Sequence, residues 1–155
     1  MSKETLQIEK GAAVLAHENA SKNGKKLLED LLGKNVFLKD VTERIKTFDD
    51  VLSELGIIKA GFDLSLSTLE SDEVAYRKLK LIAKALNEGW TPNWNDSNWK
   101  YWPYFSLSGS RFSYFGYADD GSYSGVGSRL CFKTSALAKY AGETFTDIYK
   151  DFMTL

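Results

Sequence analysis

The fold is decided by residues 100–133, which read KYWPYFSLSGSRFSYFGYADDGSYSGVGSRLCFK. Aromatic and slim side chains alternate with polar ones over three stretches, Lys100–Leu107, Arg111–Tyr117 and Tyr123–Lys133. Such alternation is typical of strands that bury one face. Small and polar residues at 108–110 and 119–122 are suited to the turns between them. The sequence therefore predicts a three-stranded antiparallel meander.

A helix is predicted to follow the meander, from Ser135 to Phe152, and to pack on the sheet. Its apolar side chains recur three or four residues apart and so share one helical face: Leu137, Ala141, Phe145, Ile148 and Phe152. Gly142 lies inside this helix, where a glycine costs about 1 kcal/mol relative to alanine. We expect that its missing side chain allows the helix to approach the sheet closely.

The first half of the chain has the periodicity of helices. Four are expected, over residues 3–19, 25–32, 48–55 and 72–88. Asn23 and Gly24 are expected to break the first from the second. In the third, Thr47 can act as the N-cap and Gly56 can end the helix. Between the last two helices, Phe62, Leu64 and Leu66 alternate with other residues, which predicts an extended segment.

These elements together predict an α+β fold in which N-terminal helices accompany a small aromatic-rich sheet and the C-terminal helix packs on it. No linker composition separates the two halves, so residues 1–155 are interpreted as a single domain. Its regions are a mainly helical part (1–89), the aromatic β-meander (90–133) and the C-terminal helix (134–153).

Composition excludes several classes of protein. The chain has 155 residues, with 20 Lys+Arg against 21 Asp+Glu, a balance that opposes a dedicated binder of phosphate backbones. One cysteine and one histidine exclude an internal disulfide and a Cys/His zinc cage. No apolar run is long enough for a bilayer and no secretory leader is present, which predicts a cytoplasmic protein without membrane contact. No cofactor is expected.

Residues that could carry catalysis follow no recognisable motif. Cys131 lies in an apolar stretch and is interpreted as a buried structural cysteine. His17 is distant from it in sequence, and no motif joins the two. The carboxylates Asp96, Asp119 and Asp120 share the aromatic region, but their spacing singles out no acid–base pair. An enzyme that uses these carboxylates or Cys131 is therefore the weakest of the alternatives.

A binding surface is the stronger expectation, because 13 of the 21 aromatic residues lie between Trp90 and Phe132. Large rings beside short polar side chains can stack on ligands and form hydrogen bonds with them. Strand alternation groups one set on the face opposite the apolar one, and a loop groups the other: Trp102, Tyr104 and Arg129, with Arg111 close by, and Trp94, Asn95 and Asp96. Candidate partners are a host or phage protein, single-stranded nucleic acid, a glycan, or a second copy of the chain. The N-terminal helices could cover this face instead.

Three stretches resemble a known family. They are VGSRLCFKTSALAKYAGETFTDIYKDF (126–152), RIKTFDDVLSELGI (44–57) and ALNEGWTPNWND (85–96). All three are similar to parts of a family of short uncharacterised proteins of gut Bacteroidetes and their phages and mobile elements. The resemblance implies a phage or mobile-element setting and assigns no site residue. The leading hypothesis is accordingly a non-enzymatic binding or accessory module, with a virion structural or assembly component as the alternative.

Overall fold

A computed structural model describes residues 8–37, 40–108 and 111–154. The chain divides into two compact units, residues 1–44 and 45–155. The single-domain interpretation stays a prediction. In the described part of the chain, no helix combines the length and the apolar character that crossing a bilayer requires.

The N-terminal unit consists of short helices. They are α1 (Lys10–Asn19), α2 (Lys22–Leu32), a 3₁₀ helix (Lys34–Phe37) and α3 (Val41–Arg44). The ring of His17 in α1 stacks on Phe37 at 4.1 Å, and its Nε2 lies 2.9 Å from Glu29 Oε1 in α2. The break expected at Asn23 and Gly24 is wrong, because Ser21 caps α2 and Gly24 lies inside it. The start of the first predicted helix lies outside the described residues.

The second unit begins with three helices, α4 (Phe48–Glu54), α5 (Lys59–Leu66) and α6 (Ser71–Leu86). The predicted cap of α4 is confirmed: the Thr47 side chain accepts a hydrogen bond from the Asp50 backbone, and Asp50 bonds back to Thr47. The extended segment predicted around Phe62–Leu66 is wrong, since these residues form α5. Phe62 packs on Phe48 with ring centroids 5.4 Å apart, so tertiary contact decides a short, ambiguous pattern.

The sheet is an antiparallel hairpin of β1 (Lys100–Ser106) and β2 (Ser113–Asp120). The pairing runs from Lys100 opposite Asp120 to Tyr104 opposite Gly116, and then shifts so that Phe105 faces Tyr114. Phe115 is therefore the extra residue of a bulge. The α+β prediction holds.

The predicted third strand, Tyr123–Lys133, is wrong, because the described sheet has two strands. Phe132 alone pairs with Tyr101, through N–H···O bonds of 2.7 and 3.1 Å. The next hydrogen-bonded pair of this antiparallel ladder would be Pro103 with Leu130, and proline has no N–H to donate. The chain also turns before this point at Gly127, whose φ of +71° suits glycine.

An asparagine side chain takes the place of a further strand beside Phe132. Asn87, at the end of α6, donates from Nδ2 to the Cys131 carbonyl at 2.8 Å and accepts from the Lys133 N–H at 3.0 Å. These backbone groups point away from β1, since those of Phe132 bind Tyr101. The buried amide therefore satisfies both groups and holds residues 131–133 against α6.

The single C-terminal helix of the prediction is two helices, α7 (Ser135–Thr144) and α8 (Thr146–Met153). Phe145 leaves the helical conformation at φ −114° and ψ 28°. The Thr146 hydroxyl donates to the Gly142 carbonyl at 2.6 Å, a contact that bends helices. The break changes which side chain of α8 is buried. Tyr149 is buried, whereas Ile148, which belongs to the predicted apolar stripe, is only half-buried. Leu137, Ala141 and Phe145 are buried as predicted.

Candidate functional site

The two sides of the hairpin have different surroundings. Helix α7 packs on one side, where Phe105 contacts the rings of Tyr114 and Tyr149. A Cβ atom on Gly142 would lie 2.5 Å from Tyr114 Cδ2 and 2.9 Å from Pro103 Cβ. The prediction that Gly142 permits close approach of the helix to the sheet is thus confirmed.

The opposite side of the hairpin carries the candidate surface. Because side chains alternate along a strand, Trp102 and Tyr104 lie away from Pro103, which is next to α7. Tyr104 is 57% exposed and Phe115, which the bulge places beside it, is 75% exposed. Their rings meet edge to face at a centroid distance of 6.2 Å. We call Trp102, Tyr104 and Phe115 the aromatic face; Trp102 is its half-buried member.

Lys100 closes one end of this side of the hairpin. Its side chain is 1% exposed, and its Nζ donates to Asp96 Oδ1 at 2.9 Å and to the Gly121 carbonyl at 3.2 Å. Nζ also lies 5.0 Å from the centroid of the Trp94 ring, a cation–π geometry. We call Lys100, Trp94, Asp96 and Gly121 the Lys100 cluster. A buried ammonium needs such acceptors, because desolvation of an unpaired charge is costly.

The Lys100 cluster holds the loop of residues 90–99 against residues 121–128. Trp94 Nε1 donates to Ser128 Oγ at 2.7 Å. A Cβ atom on Gly121 would lie 2.8 Å from the Ser97 carbonyl oxygen, so the two segments touch there. Of the three predicted loop residues, Trp94 and Asp96 are therefore engaged in internal contacts, whereas the Asn95 side chain is exposed.

Hydrogen bonds set the acidity of two carboxylates in this region. The hydrogen bond from Lys100 is the main cause that holds the pKa of Asp96 below its ordinary value. The backbone N–H groups of Ser122 and Tyr123 likewise lower the pKa of Asp120, to whose Oδ1 they donate at 2.6 and 2.8 Å. Both groups are stabilised as carboxylates, which is the opposite of what a general acid needs.

The two predicted arginines lie outside the two strands that carry the aromatic face. Arg111 is exposed just before β2. Arg129 is exposed in the turn closed by the Leu130 N–H and the Gly127 carbonyl, so the strand alternation expected to align it with Trp102 does not exist. Neither side chain forms a hydrogen bond or ion pair within the described ranges. The site residues as a set stay a prediction.

Cys131 is buried, as predicted, although it lies outside a strand. Its Sγ donates to the Gly127 carbonyl at 3.0 Å, and burial raises the pKa of the thiol. A thiol in this environment is a poor nucleophile. Among the described residues, no group of three or more His, Cys, Asp or Glu side chains could hold a metal ion.

Sequence reasoning missed the most exposed member of the aromatic face, Phe115. Phe115 is exposed in β2, but residues 114–118 of that strand, YFGYA, show no alternation of apolar and polar side chains that would have marked it. The bulge that brings Phe115 beside Tyr104 has no sequence signature here, because it depends on how the two strands pair. No family model matches this chain, and no curated protein or solved structure matches it significantly.

Proposed function

We propose that this protein is a non-enzymatic binding module whose aromatic face docks on a polypeptide partner. The observation that carries the proposal is the pair of adjacent rings of Tyr104 and Phe115, more than half exposed on the side of the hairpin that α7 leaves open. Adjacent exposed rings form a contiguous apolar patch, and such patches commonly mark interaction surfaces. Aromatic side chains of this kind dominate the energetics of protein interfaces.

Charge favours a polypeptide over single-stranded nucleic acid. Proteins that stack unpaired bases on aromatic rings surround the rings with Lys and Arg, which follow the phosphates. Residues 90–155 have six basic and six acidic side chains. Asp119 and Asp120 lie at one end of β2, and Arg111 near the other. This even balance of charge, without a basic surround, fits a protein interface better than a phosphate backbone.

The internal contacts of the loop also favour a polypeptide over a glycan. A sugar site would combine the rings with free amide and carboxylate groups. Trp94 and Asp96 are engaged by Ser128 and Lys100, so they are less available to a sugar. A polypeptide can pack its backbone and side chains on the exposed rings without any contact from Trp94 or Asp96.

For the biological setting, we propose an accessory protein of a phage or mobile element that acts in the bacterial cytoplasm. The family resemblance of residues 126–152 supports this setting. The alternatives, a virion component and a small enzyme, have no specific observation in their favour.

Affinity capture with matched variants tests the proposal. Wild-type protein is immobilised beside the double variant Tyr104→Ala/Phe115→Ala and beside Ile58→Ala, and each is exposed to extract of the native host. Ile58 is 79% exposed at the start of α5, so its variant loses a comparable apolar group elsewhere. We expect one protein to be retained by wild type and Ile58→Ala and lost from the double variant.

Direct titrations then identify the ligand class. The captured protein should bind wild type in purified form and bind the double variant at least about tenfold more weakly, since hot-spot rings contribute 2 kcal/mol or more. Equal retention by all three proteins would contradict the assignment of the face. Saturable binding of a fluorescent single-stranded oligonucleotide that requires Tyr104 would replace the polypeptide by nucleic acid.

A further inference from the structure

The α7 side of the hairpin carries a free carboxylate next to the area that the helix covers. Helix α7 comes close to Pro103 and Tyr114 at Gly142. Tyr117 is opposite Pro103 in the sheet and Asp119 is two residues further, so both lie on this side. Tyr117 is 48% exposed and Asp119 is exposed. Among the residues that the structure describes, Asp119 has no hydrogen-bond or ion-pair partner, so its carboxylate can bind a group from outside.

Two tyrosine rings lie beside this carboxylate. Asp119 is directly opposite Tyr101 in the pairing of β1 and β2. Tyr101 directs its N–H and C=O to Phe132, so Tyr101 and Asp119 share no backbone hydrogen bonds, and the side chains of such a pair lie closest together. The rings of Tyr101 and Tyr117 meet edge to face at a centroid distance of 5.9 Å. We call Tyr101, Tyr117 and Asp119 the tyrosine–carboxylate site.

A cation is the group that complements this site. Two rings in edge-to-face contact leave part of their faces open, and the negative face of an aromatic ring attracts a cation. An apolar occupant would remove Asp119 from water without a partner, which is costly. The chain's own cations on this side are engaged elsewhere: Lys133 lies 3.4 Å from Glu88, and Lys139 of α7 lies 3.9 Å from Glu143. The cation is therefore expected from another molecule.

An arginine side chain matches the site better than other cations. Its planar guanidinium can stack on a ring while it donates two parallel N–H groups to a carboxylate. A lysine ammonium is a compact and more strongly hydrated charge that lacks this planar fork. Sites for small molecules enclose most of their ligand, whereas Tyr117 and Asp119 are open to solvent. An arginine carried by a polypeptide can be held there by further contacts around the site.

We propose that the tyrosine–carboxylate site binds an arginine side chain of a polypeptide, which stacks on the tyrosine rings and donates two hydrogen bonds to Asp119. The site lies on the α7 side of the hairpin, whereas Tyr104 and the rest of the aromatic face lie on the other side. Binding of arginine is therefore a property separate from the docking proposed for the aromatic face, and each can fail without the other.

A nuclear magnetic resonance titration with defined peptides tests the proposal. The probe is acetyl-Gly-Ser-Arg-Ser-Gly-amide, and two matched peptides replace its arginine by lysine or by citrulline, the uncharged analogue. We expect saturable shifts of the backbone amide signals of Tyr101, Tyr117 and Asp119, with a dissociation constant in the millimolar range. The lysine peptide should bind about threefold more weakly, and the citrulline peptide should cause no saturable shift.

Matched variants assign the binding to the site. Asp119→Asn should weaken binding of the arginine peptide about fivefold, and Tyr117→Ala about threefold. Tyr117→Phe keeps the ring and should bind within about twofold of wild type. Asp151→Asn removes another exposed carboxylate with no partner in the described chain, and should bind as wild type does. If circular dichroism shows that Tyr117→Ala is unfolded, Asp119→Asn decides, because its side chain is exposed.

Free arginine distinguishes a small-molecule site from a polypeptide site. It should bind more weakly than the peptide, because Asp119 repels its carboxylate, and tighter binding of free arginine would overturn the assignment to a polypeptide. The proposal is also overturned by the absence of a saturable shift at tens of millimolar probe, by equal binding of the arginine and citrulline peptides, or by tighter binding of the lysine peptide. Equal losses in Asp119→Asn and Asp151→Asn would show attraction by overall charge only and would likewise overturn it.

Discussion

The two sides of the β1–β2 hairpin have similar aromatic content and opposite environments. On one side, Phe105 and Tyr114 lie under α7, where Gly142 allows the helix to come close. On the other, Tyr104 and Phe115 contact each other and solvent. Aromatic content by itself therefore does not distinguish core from surface. What distinguishes the two sides is the presence of a helix with a glycine at the point of contact.

The largest effect is expected from the buried side of the hairpin. Phe105→Ala removes a 5%-exposed ring that contacts Phe112, Tyr114 and Tyr149, and should lower the free energy of unfolding by about 3–5 kcal/mol. Urea denaturation followed by circular dichroism measures it. A loss below about 1 kcal/mol would mean that this side is not the core of the hairpin.

A matched pair of glycine substitutions tests the close approach of α7. Gly142→Ala should destabilise by about 1–3 kcal/mol despite the better helix propensity of alanine, because the new Cβ overlaps Tyr114 and Pro103. Gly61→Ala in α5, where a Cβ meets nothing within 4 Å, should stabilise by roughly 0.5–1 kcal/mol. Thermal denaturation of both variants and of wild type measures these changes in stability. The same sign of change at the two sites would rule out tight packing at Gly142.

The Lys100 cluster predicts a pH dependence at the boundary between the two sides. Because the pKa of Asp96 is lowered in the folded state, the carboxylate stabilises the fold above its ordinary pKa of 3.8, and this stabilisation is lost as the pH falls toward the folded-state value. The free energy of unfolding of Asp96→Asn should therefore fall less than that of wild type as the pH is lowered from about 5 to about 2, the acid limb of the stability curve.

The control for that measurement is Asp119→Asn. The Asp119 side chain is exposed and makes no hydrogen bond or ion pair in the described stretches of the chain, so its variant should retain the wild-type acid limb. Urea denaturation at a series of pH values compares the two. Identical acid limbs for wild type and Asp96→Asn would show that Lys100 does not depend on this carboxylate.

The smallest effect on stability is expected from the open side. Tyr104→Ala and Phe115→Ala should each change the free energy of unfolding by no more than about 0.5 kcal/mol, as is usual for exposed positions. The same urea denaturation measures it. A loss of several kcal/mol would place these rings in the core and remove the basis of the proposed binding face.

Elements that depend on local pattern were predictable. The capping residues and the i, i+3, i+4 spacing of Phe48–Leu55 predicted α4, and the aromatic-rich stretch Arg111–Tyr117 predicted most of β2. The binding residues were harder, because Trp102 and Tyr104 could be placed on one side by alternation, whereas Arg129 required a third strand that does not form.

By itself, the sequence determined the Thr47 cap of α4, the hairpin, and Gly142 as the point of helix–sheet contact, because each depends on neighbouring residues or on one special residue. Tertiary structure alone decided that Phe62–Leu66 is helical, that Asn87 replaces a strand beside Phe132, and that Lys100 is buried among the groups of Asp96, Gly121 and Trp94. These outcomes depend on groups distant in sequence, and their energies arise only when packing brings the partners together.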